Sequence, residues 1–384
     1  MMGFRIRQER ACTYRLLGAI ALFGFIAGCG EAVPQEVVDA VESVDRDLME
    51  VRAAEFSPSD YSRFAHQWMT LKARVEAEED SIRWPWEQSD LETALRLLHQ
   101  EGRQTVTRVT IQRDSLRRSS EKQLARIEER ARLIALQVSA IDSRFVLGHK
   151  PVESDLLIKQ ARSFFDQGQY SHSLIASEEA EQSLEAQTML LNQELGRYAD
   201  RERIGKWQQM AVHTIDWSKS HRTTAIVVNK ADRSLTLYRN GKKVLSYPVR
   251  LGFNGIGEKR YQGDGATPEG KYQVTSKRGQ GQTQFYRALV LNYPNAEDRR
   301  RFVLDRRAGR IPRSRTIGGQ IEIHGSDNEL MAKTLGCVML DNEQMAALYS
   351  RVERGTPVTI VGALDERNSV AMALASLGTG SDET

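Results

Sequence analysis

The residues with the clearest chemical potential are a cysteine and a histidine near the C-terminal end of the chain. His324 ends a short alternating apolar segment, and Cys337 follows thirteen positions later, directly after Gly336. A thiol attacks carbonyl carbon as its thiolate, so an acyl-transfer cysteine needs a base that takes its proton and later returns it to a leaving amine. The pair therefore predicts a cysteine nucleophile served by a histidine base.

A purely structural interpretation of the same residues is the alternative. Free cysteine is among the most buried residue types, and a His-Gly pair after a strand is a common turn. If Cys337 is a nucleophile, the main-chain N–H groups of Gly336 and Cys337 are candidates for an oxyanion hole, because a glycine lets a carbonyl oxygen approach the backbone closely. The rest of the chain bears on this choice.

The N-terminus carries the pattern of an exported lipoprotein. Four arginines lie within the first fifteen residues, and the apolar segment that follows, Leu16 to Ala27, is too short to span a bilayer comfortably. It leads into Cys29 and resembles a bacterial lipobox, so residues 1–28 are predicted to be a signal peptide and Cys29 the lipidated residue. An ordinary signal anchor is the alternative. Gly30 and Glu31 lack the aspartate that resembles an inner-membrane retention signal, which favours the periplasmic face of the outer membrane.

The cysteine count then bears on Cys337. The chain has three cysteines, and export as a lipoprotein would remove Cys12 and attach lipid to Cys29. A single remaining thiol cannot belong to a disulfide framework in an oxidising compartment. Chemical reactivity is the simplest reason for such a cysteine, which favours the catalytic interpretation.

A helical region is predicted over residues 29–205, where the sequence is charged, poor in glycine and rich in helix formers. Ser57 and Pro58 have the types expected at an N-cap and a first turn, and they predict a helix through Glu79. A longer helix begins near Ser89, and its later part has an apolar seam at three-four spacing. The seam consists of Leu124, Ile127, Ala131, Ile134, Val138 and Ile141. We expect it to pack on another helix of this region in an elongated antiparallel bundle; an intermolecular coiled coil or a separate protein partner is the alternative.

Strand signals dominate after a predicted linker at residues 206–221. Alternating runs flank Asn240-Gly241, which is a hairpin signal because both central residues must tolerate positive φ. A loop with five glycines, Gly252 to Gly265, precedes a further strand. A mainly β catalytic domain is therefore predicted at residues 222–363 and a flexible tail at 364–384, so the fold class is α+β.

Recognisable blocks follow one another in this second region. They are the strands Ile226 to Val228 and Leu235 to Tyr238, the turn Gly265 to Gly270, the I-x-I-H-G element Ile321 to Gly325, the T-x-G-C-h motif Thr334 to Val338, and the closing segment Gly355 to Ile360. In this order they resemble the L,D-transpeptidase catalytic domain family of the YkuD type. Tyr293 to Arg299 resembles a Y-P-N-x-x-D-R block of a divergent branch of that family. Many members have His where this chain has Leu335 and Arg or Asn where it has Met339, but the nucleophile and base are in place.

The resemblance implies a reaction and a set of roles. Cys337 would attack the L,D bond of a peptidoglycan stem peptide, expel the terminal D-residue and pass the acyl group to an amine. His324 would act as general base and acid, with the main-chain carbonyl of Gly325 holding its imidazole in one tautomer. Thr334 would shape the loop before the nucleophile, and the N–H groups of Gly336 and Cys337 would meet the oxyanion. Neither a metal nor an organic cofactor is implied.

Arginines and tyrosines are the candidates for substrate contacts. Eight arginines lie from Arg299 to Arg315, and bidentate arginine suits the carboxylates of stem peptides; a solvated loop is the alternative for such a charge run. Tyr286 and Tyr293 are candidates for lining the cleft, although aromatics at strand ends are often core. The net charge of +3, with no long basic run interleaved with aromatics, favours no nucleic-acid partner.

Three functions are consistent with these features. The first is a lipid-anchored cysteine L,D-transpeptidase that remodels peptidoglycan. The second keeps the same site but uses water as the acceptor, which makes it an L,D-carboxypeptidase or amidase. The third is a wall-binding scaffold that acts through its helical region, for which Cys337→Ala would leave the muropeptide composition unchanged.

Overall fold

The computed structural model describes residues 33–79, 90–279, 281–326 and 334–378. Cys29 and the predicted signal peptide lie outside them. No helix within these ranges is both long and apolar enough to cross a membrane. The chain divides into two compact units, Met1–Ser115 and Leu116–Thr384. The boundary falls inside a helix, so the compact units do not divide at the predicted end of the helical region, residue 205.

The first unit is helical. Its elements are α1 (Gln35–Glu50), α2 (Ala53–Phe56), α3 (Pro58–Glu79) and the first half of α4 (Leu91–Ala140). The predicted helix from Pro58 to Glu79 is confirmed, and the Ser57 hydroxyl donates to Asp60 at 2.9 Å. Gly102 of α4 lies where the helices cross, because a Cβ atom there would collide with Val44 and Phe64. Close packing of three helices therefore depends on a glycine at this position.

Five helical segments open the second unit before its sheet begins. They are the remainder of α4, α5 (Arg144–Leu147), α6 (Lys150–Asp166), α7 (Tyr170–Leu195) and α8 (Arg201–Ser220), with a 3₁₀ turn at Gly196–Tyr198. The predicted seam of α4 is buried in one apolar cluster with Ala176, Ala180 and Leu184 of α7. The prediction of a partner helix within the same chain is therefore confirmed.

The predicted linker at residues 206–221 belongs to α8 as far as Ser220, and His221 is the C-cap of that helix, so the prediction of a linker is wrong. The side chain of Asp200 caps this helix by accepting from the N–H groups of Glu202 and Arg203. Trp207 is 3% exposed, and a Cβ atom on Gly362 would collide with its ring. An amphipathic segment that buries a tryptophan against the sheet gains too much apolar burial to remain an extended connection.

Among the described residues, one eight-stranded mixed sheet and three further helices complete the second unit. These are β1 (Thr224–Asn229), β2 (Ser234–Arg239), β3 (Lys242–Pro248), β4 (Gly270–Arg278), β5 (Ala288–Leu291), α9 (Ala296–Arg307), β6 (Glu322–His324), β7 (Val338–Met339), α10 (Asn342–Tyr349), β8 (Pro357–Val361) and α11 (Ser369–Gly378). The strand order is β3-β2-β1-β8-β4-β5-β6-β7. The β1–β8 and β6–β7 pairs are parallel, and the others are antiparallel. The predicted hairpin is confirmed, with φ of 53° at Asn240 and 75° at Gly241.

Two further segments differ from expectation. The predicted flexible tail at residues 364–384 contains α11, which buries Val370, Ala373 and Leu374 in the cluster that includes α7. The predicted solvated loop of arginines is largely α9, because Asn295 and Asp298 form a reciprocal capping box at its start. In both places a helix forms where local apolar or capping residues support one.

Candidate active site

Two short parallel strands bring the predicted nucleophile and base together. β6 pairs with β7 so that Ile323 lies opposite Val338, which places Cys337 beside Glu322 one step earlier. Side chains alternate between the two faces of a strand. His324 and Cys337 therefore share a face with Glu322, while Ile323 and Val338 are fully buried on the core side.

His324 and Cys337 line the same cavity, which has a volume of about 800 Å³. Further described lining residues include Lys259, Arg278, Phe285, Gln320, Glu322 and Thr334. A cavity of this size suits a peptide-sized ligand. Cys337 remains partly exposed on its wall, so the thiol is not sealed in the hydrophobic core as the structural interpretation required.

The imidazole of His324 is held in the tautomer that a general base needs. Its Nδ1 lies 2.7 Å from the main-chain oxygen of Gly325, and since a carbonyl only accepts, Nδ1 carries the proton and Nε2 keeps its lone pair. Nε2 is buried and has no hydrogen-bond partner among the described residues. Phe285 stacks on the ring at 3.7 Å and 18°. Burial lowers the pKa of His324, although the bond to Gly325 opposes that effect.

The surroundings of Cys337 favour its neutral thiol form. Its Sγ lies 3.6 Å from the main-chain oxygen of Gln320, to which it donates. Burial raises the pKa of Cys337 to about 11, with the main-chain N–H of Glu322 opposing the rise. Burial therefore favours the neutral form of both the thiol and the imidazole.

Thr334 and Gly336 shape the turn that presents the nucleophile. The Thr334 hydroxyl donates to the carbonyl of Cys337 at 2.8 Å and accepts from the N–H of Gly336 at 3.1 Å. Gly336 has a φ of 132°, and a Cβ atom there would lie 2.8 Å from the Ala266 oxygen. Since Thr334 occupies the N–H of Gly336, the predicted pair of oxyanion donors is reduced to the N–H of Cys337.

The predicted substrate contacts are only partly brought to the cavity. Tyr293 is 7% exposed and packs in the core, so its prediction as a cleft residue is wrong. Arg299 lies on the exposed side of α9, and Arg315 lies over the ring of Tyr261; neither is among the described residues that line the cavity. Tyr286 packs against Gly325 and lies next to a lining residue, Phe285.

Three charged residues of the cavity escape sequence reasoning. Arg278 donates to Glu322 at 3.0 Å. Lys259 donates to Asp264 at 2.7 Å and to the Tyr261 carbonyl at 3.0 Å. Glu322 could have been predicted from the sequence, because side chains alternate along the strand Glu322-Ile323-His324 and Glu322 therefore lies on the same face as His324. Arg278 and Lys259 are remote in sequence, and only the sheet and the glycine-rich loop bring them here.

The fold and the site define a catalytic domain in which a cysteine and a histidine share one peptide-sized cavity on a mixed sheet. Residues 223–360 match the model of the YkuD family, the L,D-transpeptidase catalytic domain. The match agrees with the resemblance of the motifs. The helices before residue 223 lie outside it.

Individual relatives cover smaller parts of the chain. YafK of Escherichia coli K12, whose name marks it as a candidate L,D-transpeptidase, is 35% identical over 78 residues, or 19% of this chain and 32% of YafK. The chain thus spans about a third of that curated relative. Among solved structures, Bd1075 of Bdellovibrio bacteriovorus is 23% identical, with 42% of this chain and 56% of that chain covered and a TM-score of 0.29. An Enterococcus faecium L,D-transpeptidase is 18% identical, with 36% of this chain and 49% of that chain covered and a TM-score of 0.24.

Proposed function

We propose that the protein is a lipid-anchored cysteine L,D-transpeptidase that remodels peptidoglycan by transferring a stem-peptide acyl group to an amine. The observation that carries the proposal is the shared cavity of His324 and Cys337 in a domain that matches the L,D-transpeptidase family model. The lone pair on Nε2 of His324 supports the role of base. The partial exposure of Cys337 supports the role of nucleophile.

In the first half of the reaction, Sγ of Cys337 attacks the carbonyl carbon of the L,D bond while Nε2 of His324 takes the thiol proton. The carbonyl oxygen becomes an oxyanion, for which the N–H of Cys337 is the proposed donor. The C–N bond then breaks, and the amine of the departing D-residue leaves with the proton from His324. The product is a thioester between the stem peptide and Cys337.

In the second half, an acceptor amine attacks the thioester carbonyl and gives its proton to Nε2 of His324. The C–S bond breaks, and the sulfur recovers the proton as a thiol. Protons and bonds balance without a metal or a redox step. Water in place of the amine would give a carboxylate product by the same route, which is the carboxypeptidase outcome.

Mass spectrometry of the protein with a stem tetrapeptide tests the proposal directly. We expect a thioester adduct on the wild-type protein, no adduct on Cys337→Ala, and a cross-linked product that depends on the amine added. An adduct that turns over only to the free acid, regardless of amine, would assign the protein to the hydrolases. If no adduct forms and the muropeptide composition is unchanged in a Cys337→Ala strain, both enzymatic functions are refuted, and the wall-binding scaffold is the function that remains.

The anchor and location form a second part of the proposal. The lipobox-like segment before Cys29 supports lipid attachment there and residence at the periplasmic face of the outer membrane. Metabolic labelling with a palmitate analogue should mark the wild-type protein and not Cys29→Ala. Recovery of unlabelled wild-type protein would refute the proposed lipid anchor but would not bear on the proposed catalytic activity.

A further inference from the structure

We propose that Arg278 binds a free carboxylate of the donor stem peptide and so selects donors with that carboxylate over donors in which it is an amide. The inference rests on the function proposed above and names a group that recognises the substrate of the same site. Its basis is the placement, exposure and hydrogen bonding of one guanidinium in the catalytic cavity.

The sheet register places Arg278 on the catalytic face. Arg278 lies opposite Ala288 in the β4–β5 pair, and Ala288 lies opposite His324 in the β5–β6 pair. Directly opposed residues point to the same face, and neighbouring strands are about 4.8 Å apart, so the Cα atoms of Arg278 and His324 are separated by roughly 10 Å. Both Arg278 and His324 are among the residues that line the cavity.

Arg278 is the exposed cation among the described residues that line this cavity. Its side chain is 44% exposed, and one N–H donates to Glu322 at 3.0 Å. A guanidinium has five N–H donors in a planar fork, so donors remain for a second, bidentate acceptor. The other lining cation, Lys259, is 5% exposed and tied to Asp264, which neutralises it.

Glu322 orients the guanidinium toward the reacting centre. Its side chain is 6% exposed and lies beside Cys337 in the register of β6 and β7. The ion pair therefore holds the Arg278 fork close to the place where the attacked carbonyl has to sit. Stem peptides carry carboxylates within a few bonds of that carbonyl, and a planar fork that is already oriented loses little freedom on binding one.

The test compares donors in which each carboxylate is amidated in turn. Removing Arg278 alone would leave Glu322 buried and unpaired, so the informative variant is the double change Arg278→Gln with Glu322→Gln. We expect the wild-type protein to prefer one free-carboxylate donor over its amide by about 10- to 100-fold in kcat/KM, the range of a charged hydrogen bond. The double variant should lose that preference, while Glu322→Gln alone should keep it.

Matched controls separate recognition from stability and from the proposed reaction. Arg287→Gln removes a neighbouring arginine that lies over Tyr286 and Tyr349, and it should retain the preference. Calorimetric binding of the same donors to Cys337→Ala, with and without the double change, judges Arg278 even if no acyl-enzyme forms. Equal binding of acid and amide by Cys337→Ala, or an undiminished preference in the double variant, would overturn the inference.

Discussion

Replacing Glu269 by glutamine should destabilise the second unit by several kcal/mol. Glu269 is 9% exposed and accepts from Arg197 at 2.6 and 2.7 Å and from Lys230 at 2.8 Å. Glu269→Gln removes the carboxylate that both cations bind, and breaking a buried ion pair from one side costs about 3–5 kcal/mol. Arg197 follows α7, whereas Lys230 and Glu269 flank strands of the catalytic sheet. The change therefore weakens the attachment of these helices to that sheet.

A second estimate from the same residues gives a similar magnitude. Burial raises the pKa of Glu269, but Arg197 and Lys230 outweigh it and bring the pKa to about 2, from the ordinary value of 4.5. The difference corresponds to folding free energy on the order of 3 kcal/mol. Because the folded pKa is the lower one, this stabilisation is present above pH 4.5 and is lost as the pH falls toward 2. Burial lowers the pKa of Lys230 to about 8, from the ordinary value of 10.5. If the glutamate is removed, Lys230 can become neutral by releasing its proton. The cost of burying Lys230 without Glu269 at pH 7 therefore cannot exceed the cost of that deprotonation, about 5 kcal/mol.

Urea unfolding of the full chain at pH 7, followed by circular dichroism, measures the effect. Glu366→Gln is the matched control, since its partner Arg201 and Glu366 itself are 85% and 55% exposed, and it should cost less than about 0.5 kcal/mol. Adding Lys230→Met to Glu269→Gln should recover part of the loss. The reasoning would be refuted if Glu269→Gln lowered the free energy of unfolding by less than about 1 kcal/mol. It would also be refuted if the wild-type protein and the variant lost the same free energy of unfolding between pH 4.5 and pH 2.

Three other outcomes can be measured on the same protein. Alkylation of Cys337 by iodoacetamide should be slow at pH 7 and should rise steeply toward pH 11, because burial disfavours the thiolate; a plateau already at neutral pH would contradict it. Phe285→Ala should raise the NMR-determined pKa of His324 by exposing the imidazole that Phe285 covers, and should shift the acid limb of kcat/KM upward with it. Gly102→Ala should destabilise the protein by about 1–3 kcal/mol through overpacking against Val44, whereas Gly205→Ala, at an unobstructed position inside α8, should be neutral or stabilise it by up to about 1 kcal/mol.

Local signals predicted the site better than they predicted its surroundings. The strand that ends at His324 and the Gly-Cys pair could be found in the sequence because each is a short contiguous pattern. The cavity charges could not, since Arg278 reaches the site through two strand pairings that no local pattern specifies. The linker and tail predictions failed for a related reason. Trp207 and Leu374 have partners far along the chain, and the burial that stabilises their helices exists only in the folded unit.

Burial disfavours the thiolate form of Cys337, and this bears on how the residue reacts with oxidants. A thiolate reacts with oxidants far faster than a thiol does. Burial raises the pKa of Cys337 and lowers that of His324, so the thiolate–imidazolium pair is disfavoured. Leu335, where many members of the family have His, is exposed and adds no positive charge beside the sulfur. Under the proposed mechanism, the same burial that slows oxidation favours general-base attack, and the rate of acylation would then depend on the orientation of His324 by Gly325 and Phe285.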